Sequence, residues 1–222
     1  MQGGSCQNSL FFICLNFMAY STFFNIFHFN SFKLKPTHNM RKISIISGSI
    51  RTGRQSHKVS LFFKKYFEDK NLAEVEILDL AVYNFALFEE RLVFSAKPTE
   101  IEIEFANKVA NSDGVILISP EYNASYPASV KNAIDFLGKE WYHKPVAIVT
   151  VSSGNFGGVN ANALLQLLML RMKAIVVPAS FPVPNIAESF NEEGEPTDKL
   201  STYKRADNFT DELFWVISHF KT

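Results

Sequence analysis

Cysteine is scarce in this chain, and neither sign of charge is in excess. The 222 residues include two cysteines, Cys6 and Cys14, so no disulfide can form within the part that follows residue 14. This usage fits a reducing compartment, and we expect a cytoplasmic protein. The 22 basic residues balance the 22 acidic residues. Because the sequence has no basic stripe, nucleic acid and anionic membrane surfaces are poor candidates for the main partners.

Residues 1–39 lack acidic side chains and hold eight of the 22 phenylalanines. The apolar run from Leu10 to Ala19 is interrupted by an asparagine and falls short of the roughly 20 residues that span a bilayer. No Lys or Arg precedes residue 33, so the positive segment of a secretory signal is missing. We expect an extension outside the domain, with Met40 as the natural start and residues 1–39 as upstream translated sequence. A targeting or membrane-associated segment is the alternative.

From residue 40 onward, strand patterns alternate with amphipathic helix patterns. Strands are predicted at 42–47, 74–80, 114–119, 145–151 and 174–177, and helices at 56–70, 98–112, 128–137, 159–172 and within 197–220. Pro98 suits a first helical turn, and the four prolines between residues 178 and 196 predict a loop. The alternation predicts one α/β domain over residues 40–222 with a three-layer, flavodoxin-like fold. Its five-stranded parallel sheet has the order 2-1-3-4-5 and helices on both faces.

The clearest ligand signal lies between the first strand and the first helix, from Gly48 to His57. A strand, a tight turn and a helix start bring unpaired N–H groups together, and the helix dipole favours an anion there. Ser49 and Ser56 can add hydroxyl donors, while Arg51 and Arg54 add guanidinium groups that match phosphate oxygens. The segment is therefore predicted to bind phosphate.

Two common phosphate motifs do not fit this loop. Gly48-x4-Gly53 begins like a P-loop, but Arg54-Gln55 stands where Lys-Ser/Thr is required. A dinucleotide-binding fingerprint needs a third glycine. A single phosphate, as in FMN, fits better.

Two later segments are expected to lie beside the phosphate loop. Ser119 to Asn123 ends a buried strand in a polar loop, where Tyr122 offers an aromatic face to an isoalloxazine ring. Residues 152–158, SSGNFGG, have few large side chains to keep a ligand from the backbone. An ordinary surface tyrosine and a flexible turn are the alternatives. All three loops follow strands at the carboxyl edge of the sheet, where such folds bind ligands.

The segments GSIRTGRQS, PEYNASYPASVKNAIDFL and SSGNFGG occur in this order within residues 40–178. They resemble the NADPH-dependent FMN reductase family of flavodoxin-like proteins, which includes quinone reductases and azoreductases. The resemblance implies an FMN cofactor and NADPH or NADH as co-substrate. The implied FMN contacts are, for the phosphate, Ser49, Arg51, Gln55, Ser56 and His57; for the ring, Pro120, Glu121, Tyr122 and Asn123; and at its other edge, Ser153 and Gly154.

One departure from the family affects the phosphate loop. Many members have a second Ser followed two residues later by Asn, whereas this chain has Arg54 to Lys58 there. Whether Arg54 faces the phosphate or the adenosine end of NADPH is open.

The implied function is hydride transfer from NAD(P)H through FMN to a quinone, an azo compound or a similar small-molecule acceptor. Because the flavin performs the redox chemistry, no catalytic residue is assigned. His57 and His143 are interpreted as loop residues rather than metal ligands, and no metal is expected. The alternative is a flavodoxin-like electron carrier that docks to a protein partner. The neutral net charge and the two arginines Arg51 and Arg54 favour the reductase. A flavin-sensing role is a third interpretation.

Apolar residues outside the predicted buried stripes are candidates for contacts with a second copy of the chain. Four aromatic residues fall outside the predicted stripes: Trp141, Tyr142, Phe214 and Trp215. Five residues of helix 159–172 are expected to face inward: Ala161, Leu164, Leu165, Leu168 and Met172. The leftover aromatic residues either pack on the sheet or form a second contact. The resemblance implies a homodimer or homotetramer in which the neighbour borders the active site.

Overall fold

The computed structural model describes residues 40–220. The predictions about residues 1–39 therefore lie outside the described residues. The five strands run over Lys42–Ser47 (β1), Glu74–Asp79 (β2), Gly114–Pro120 (β3), Pro145–Val151 (β4) and Ile175–Val183 (β5). All pairings are parallel, and the sheet order is β2-β1-β3-β4-β5, as predicted.

Helices cover both faces of this sheet. Their bounds are His57–Asp69 (α1), Leu80–Tyr83 (α2), Glu100–Asn111 (α3), Ala128–Phe136 (α4), Val159–Arg171 (α5), Ile186–Ser189 (α6) and Lys199–Phe220 (α7). Short 3₁₀ turns lie at Leu92–Phe94 and Lys139–Trp141. One core cluster joins α1 and α7 to the sheet, and a second joins α3, α4 and α5 to the opposite face. The three-layer architecture is thus confirmed.

Helix α1 shows how the sequence pattern produces this packing. Five apolar side chains at the helical spacing i, i+3, i+4, i+7, i+8 are all buried: Val59, Phe62, Phe63, Tyr66 and Phe67. Burying each of these side chains stabilises the fold by roughly 1.5–3 kcal/mol, before the entropic cost of ordering the chain is subtracted. This burial fixes the start of α1 against the sheet, directly after the predicted phosphate loop.

The predicted end of the last strand was wrong. β5 continues to Val183 through Pro178 and Pro182, which the sequence placed in a loop. Within residues 40–220 the strand is at the edge of the sheet and pairs with β4 alone, with a register shift between Val146 and Ile148. A proline lacks an N–H group, and an edge strand with an irregular register tolerates that loss.

The start of α3 also differs from the prediction. Thr99 is the N-cap, because its side chain accepts the Glu102 N–H while the Glu102 carboxylate accepts the Thr99 N–H. This capping box begins the helix at Glu100 and leaves Pro98 outside the first turn.

Two of the four leftover aromatic residues belong to the core. Trp141 is fully buried and donates its indole N–H to the Ile134 carbonyl at 3.1 Å, and Phe214 is buried beneath the Arg41 guanidinium. Tyr142 and Trp215 are each 48% exposed, so a second contact remains a prediction for these two alone.

Helix α5 buries less of its apolar surface than predicted. Ala161 and Leu165 are buried, but Leu164 is 40% exposed. Leu168 and Met172 are only partly buried. Within residues 40–220, no helix combines the length and the apolarity that a membrane crossing requires.

Candidate active site

Three loops leave the carboxyl ends of neighbouring strands: residues 48–56 after β1, 121–127 after β3 and 152–158 after β4. The chain reverses its direction of travel across the sheet between β1 and β3, which is where ligands bind in open α/β sheets. All eleven predicted site residues lie in these loops, at the last position of β3 or at the first position of α1. The fold therefore brings the three predicted segments to one edge.

Gly48 begins the first loop at a point where no side chain fits. A Cβ at this position would lie 2.4 Å from Val130 Cγ2 and 2.7 Å from the Ile118 carbonyl oxygen. The Gly48 N–H donates to that same carbonyl at 2.8 Å, and the Ser129 hydroxyl donates to the Gly48 carbonyl at 2.6 Å. The loop is thereby held against β3 and the start of α4.

The end of the first loop provides donors that have no acceptor in the described part of the chain. The backbone N–H groups of Gln55, Ser56 and His57 donate to no acceptor within residues 40–220. The Ser56 hydroxyl is buried, does not cap α1 and has no hydrogen-bond partner in this part of the chain. Buried polar atoms are normally paired, so a converging set of unpaired donors at a helix start fits a phosphate group. Arg51 is exposed nearby in sequence and adds a cation.

Ser49 connects the phosphate loop to the loop after β3. Its side chain is fully buried, and its hydroxyl lies 2.8 Å from the Tyr122 hydroxyl. Tyr122 therefore contributes to the position of Ser49, a contact that neither segment indicated in the sequence.

Arg54 binds protein groups rather than standing free for a ligand. Its two terminal nitrogens form a fork on the Asp79 carboxylate at the end of β2, and Nη1 also donates to the Ser49 carbonyl at 2.8 Å. Burial favours a raised pKa for Asp79, but the Arg54 guanidinium and the Ala81 N–H keep the Asp79 pKa below its usual value. Arg54 therefore links the first loop, at Ser49, to the end of β2, at Asp79.

His57 occupies the first position of α1, within the helix predicted over residues 56–70, although it was also interpreted as a loop residue. Its Nδ1 lies 3.0 Å from the Ser47 hydroxyl and 3.7 Å from the Asp79 carboxylate. Burial, followed by the Arg54 charge, lowers the pKa of His57, and Asp79 only partly opposes this. The lowered pKa favours the neutral form of the ring.

Lys58 faces away from the predicted phosphate position. Its side chain is buried, and Nζ lies 2.7 Å from a Glu192 carboxylate oxygen and 3.5 Å from the Phe190 carbonyl. Among the residues from Arg54 to Lys58, the free donors thus come from Gln55, Ser56 and His57.

The loop after β3 contains a tight two-residue turn. Tyr122 and Ser125 exchange backbone hydrogen bonds of 2.7 and 3.0 Å. Between them, Asn123 and Ala124 adopt positive φ angles of 50° and 60°. Two successive left-handed residues define a type I′ turn, in which asparagine is common and alanine is strained.

Glu121 has a role that the sequence did not reveal. One carboxylate oxygen accepts the N–H groups of Asn160 and Ala161 at 2.9 and 3.0 Å, in the first turn of α5. The Glu121 side chain therefore caps a helix that begins after β4, where the helix dipole favours a negative charge. This cap ties the second loop to the third.

The third loop is fixed by contacts at both ends. The Asn185 N–H donates to the Gly154 carbonyl at 3.1 Å, and the Thr150 hydroxyl donates to the Gly157 carbonyl at 2.7 Å. Gly157 and Gly158 have positive φ angles, and a Cβ at either would approach protein atoms within 3 Å. Ser153 and Gly154 are exposed at the tip of this loop.

The remaining residues of the middle motif are structural. Lys131 and Asp135 form an i, i+4 ion pair on α4. Asn132 donates to the Ala86 carbonyl at 2.7 Å and accepts the Phe88 N–H at 2.6 Å. It anchors the segment that follows β2.

A parallel sheet in the order 2-1-3-4-5 with helices on both faces defines the flavodoxin-like class of α/β proteins. Within that class, residues 41–188 match the family model described as NADPH-dependent FMN reductase. The chain belongs to this family, whose members are flavin-dependent oxidoreductases that use FMN with NAD(P)H as electron donor.

Individual relatives support this assignment. A quinone reductase of Pseudomonas putida is 31% identical over 172 residues, covering 74% of this chain and 89% of the relative. An NADPH azoreductase of Bacillus sp. is 27% identical, covering 72% of this chain and 85% of the relative. Among solved structures, the flavoenzyme NAD(P)H:(acceptor) oxidoreductase FerB from Paracoccus denitrificans has a TM-score of 0.65 at 26% identity. The alignment covers 81% of this chain and 98% of FerB.

Proposed function

We propose that this protein transfers reducing equivalents from NAD(P)H, through FMN bound at the carboxyl edge of β1, β3 and β4, to a quinone, an azo compound or a similar organic acceptor. The observation that carries this proposal is the set of unused donors at the start of α1, within a chain of the FMN reductase family. The names of the P. putida quinone reductase and the Bacillus azoreductase support the acceptor class.

The residues present fit FMN in two parts. The N–H groups of residues 55–57 and the Ser56 hydroxyl would hold the phosphate, with Arg51 and the buried Ser49 beside them. Pro120 to Asn123 and residues 153–154 would border the isoalloxazine ring, mainly through backbone groups. FMN supplies the redox chemistry when it is bound, and the net reaction converts NAD(P)H, a proton and a quinone into NAD(P)⁺ and a hydroquinone.

The side chains around this edge position the cofactor rather than exchange protons. Tyr122 holds Ser49 through its hydroxyl, Arg54 holds the Ser49 carbonyl, and Glu121 fixes the start of α5. We therefore assign these three side chains positioning roles and name no general acid or base, so that the reaction depends on orientation.

The direct test is an absorbance spectrum of the purified full chain, before and after anaerobic addition of NADPH. Flavin bands that bleach with NADPH and return with a quinone support the proposal. Flavin bands that NADPH leaves unchanged would assign an electron carrier that needs a separate reductase. Failure to bind added FMN would contradict the phosphate assignment itself.

We also propose that the protein acts in the cytoplasm as a homodimer or homotetramer. Helix α5 exposes three leucines on its outer surface, Leu164, Leu167 and Leu170, which are 40%, 65% and 58% exposed. Large apolar side chains exposed at i, i+3 and i+6 of one helix are typical of a contact surface. The absence of cysteine after residue 14 supports a reducing compartment.

A further inference from the structure

Phe156 is the most exposed aromatic side chain within residues 40–220, at 82%. It lies in the loop after β4, two residues beyond Gly154, at the edge of the sheet where the cofactor is expected. A phenyl ring that stays in water does not gain the favourable free energy that burial of its apolar surface would provide. A ring exposed beside a ligand site is therefore a candidate contact for that ligand.

The loop that carries Phe156 is held in place on both sides of the ring. Asn185 donates its backbone N–H to the Gly154 carbonyl at 3.1 Å and its side-chain amide to Asn155 Oδ1 at 3.0 Å. On the other side, the Thr150 hydroxyl donates to the Gly157 carbonyl at 2.7 Å. The backbone on both sides of Phe156 is thus held by the fold before any ligand arrives, which lowers the entropic cost of a stacking contact.

The loop that carries Phe156 is polar but uncharged. Residues 152–158 contain no ionisable side chain. The carboxylate of Glu121, the acidic residue of the neighbouring loop, already accepts the N–H groups of Asn160 and Ala161. A flat, uncharged ring suits this loop, which itself offers no countercharge to a highly charged metal complex.

We propose that Phe156 is the stacking contact that selects uncharged planar acceptors, such as two-ring quinones, over charged inorganic ones. This inference rests on the proposed reductase function. In the reaction, the quinone gains two electrons and two protons and becomes a hydroquinone, while NAD(P)H supplies a hydride and solvent supplies the second proton. Phe156 orients the acceptor and takes no part in the proton or electron balance.

The test compares the wild type with Phe156→Ala using menadione as the planar probe and ferricyanide as the charged one. We expect the KM for menadione to rise about three- to tenfold, as loss of one aromatic stacking contact implies, while the KM for ferricyanide stays within twofold. Phe156→Trp should retain the wild-type KM for menadione. Titration of menadione into the oxidised protein, followed by difference absorbance, should show the same weakening without turnover.

Controls separate this inference from the proposed function. Phe94→Ala removes another exposed phenyl ring, 69% exposed after β2, and should leave both KM values unchanged. Equal effects of Phe156→Ala on both acceptors, no effect on either, or a changed subunit number with unchanged menadione binding would overturn the role of Phe156. If NADPH fails to bleach the wild-type flavin, the proposed function fails instead.

Discussion

At the scale of single residues, the site depends on side chains that position other groups. Ser49 is held from two sides: its hydroxyl by Tyr122 and its carbonyl by Arg54. Arg54 in turn is oriented by Asp79 at the end of β2. Sequence reasoning identified Ser49, Arg54 and Tyr122 as candidates, but it could not pair them because the pairs span five to 73 residues. Such pairings come from the fold and not from local spacing.

Tyr122→Phe should weaken FMN binding without unfolding the protein. The substitution keeps the aromatic ring and removes only the hydroxyl that lies 2.8 Å from Ser49 Oγ. Loss of one hydrogen bond of about 1 kcal/mol implies a roughly fivefold higher dissociation constant. Quenching of FMN fluorescence measures this constant. Tyr142→Phe, at an exposed position outside the three loops, should have no effect, and equal affinities for all three proteins would contradict the role of the hydroxyl.

His57 should make the protein less stable in mild acid. Its pKa in the folded state is lowered by burial and by Arg54, so the unfolded chain binds the proton more readily. The free energy of unfolding should therefore fall as the pH drops below about 6.5, the pKa of an unperturbed histidine. His57→Gln should remove this part of the pH dependence, whereas His219→Gln, exposed near the end of α7, should not. Denaturant unfolding between pH 8 and pH 5 measures the effect, and identical slopes for the wild type and His57→Gln would refute it.

At the scale of secondary-structure elements, the sequence predicted the strands and helices well and their ends less well. The burial pattern of α1 follows directly from its spacing, whereas β5 extends past two prolines because it is an edge strand. The length of an edge strand depends on its neighbour, which a local pattern does not report. The cap that Glu121 gives to α5 escaped prediction for the same reason, since it crosses from one βα loop to the next.

Glu121→Ala should destabilise the protein and loosen the third loop. The change leaves two N–H groups at the start of α5 without an acceptor and removes a charge that favours the helix dipole. We expect a loss of about 1–2 kcal/mol in the free energy of unfolding. Glu193→Ala offers a comparison at an exposed position with no ion pair recorded within residues 40–220. Denaturant titration decides, and a Glu121→Ala protein as stable as the control would mean that the cap contributes nothing.

At the scale of the whole molecule, the order of the strands explains why widely separated segments form one site. The order 2-1-3-4-5 places β1, β3 and β4 next to one another, so the loops that follow them lie side by side. The alternation of strands with helices in five units favoured that order. The outer surface was harder to predict. Helical periodicity identified α5 as amphipathic, yet it did not show that Leu164 lies outside the buried stripe. Apolar residues on nearly all sides of a helix leave the direction of the core undetermined.

The exposed leucines of α5 provide the last prediction, which concerns assembly. Leu167 is 65% exposed and lies between Leu164 and Leu170 on the outer surface of the helix. If this surface joins two copies, Leu167→Lys places a charge in an apolar contact and should convert the oligomer to a monomer. Leu200→Lys, at an 85% exposed position on α7, should leave the mass unchanged. Light scattering after size exclusion measures both masses. An unaltered oligomer in the Leu167→Lys protein would move the contact to another face, with Tyr142 and Trp215 as the next residues to substitute.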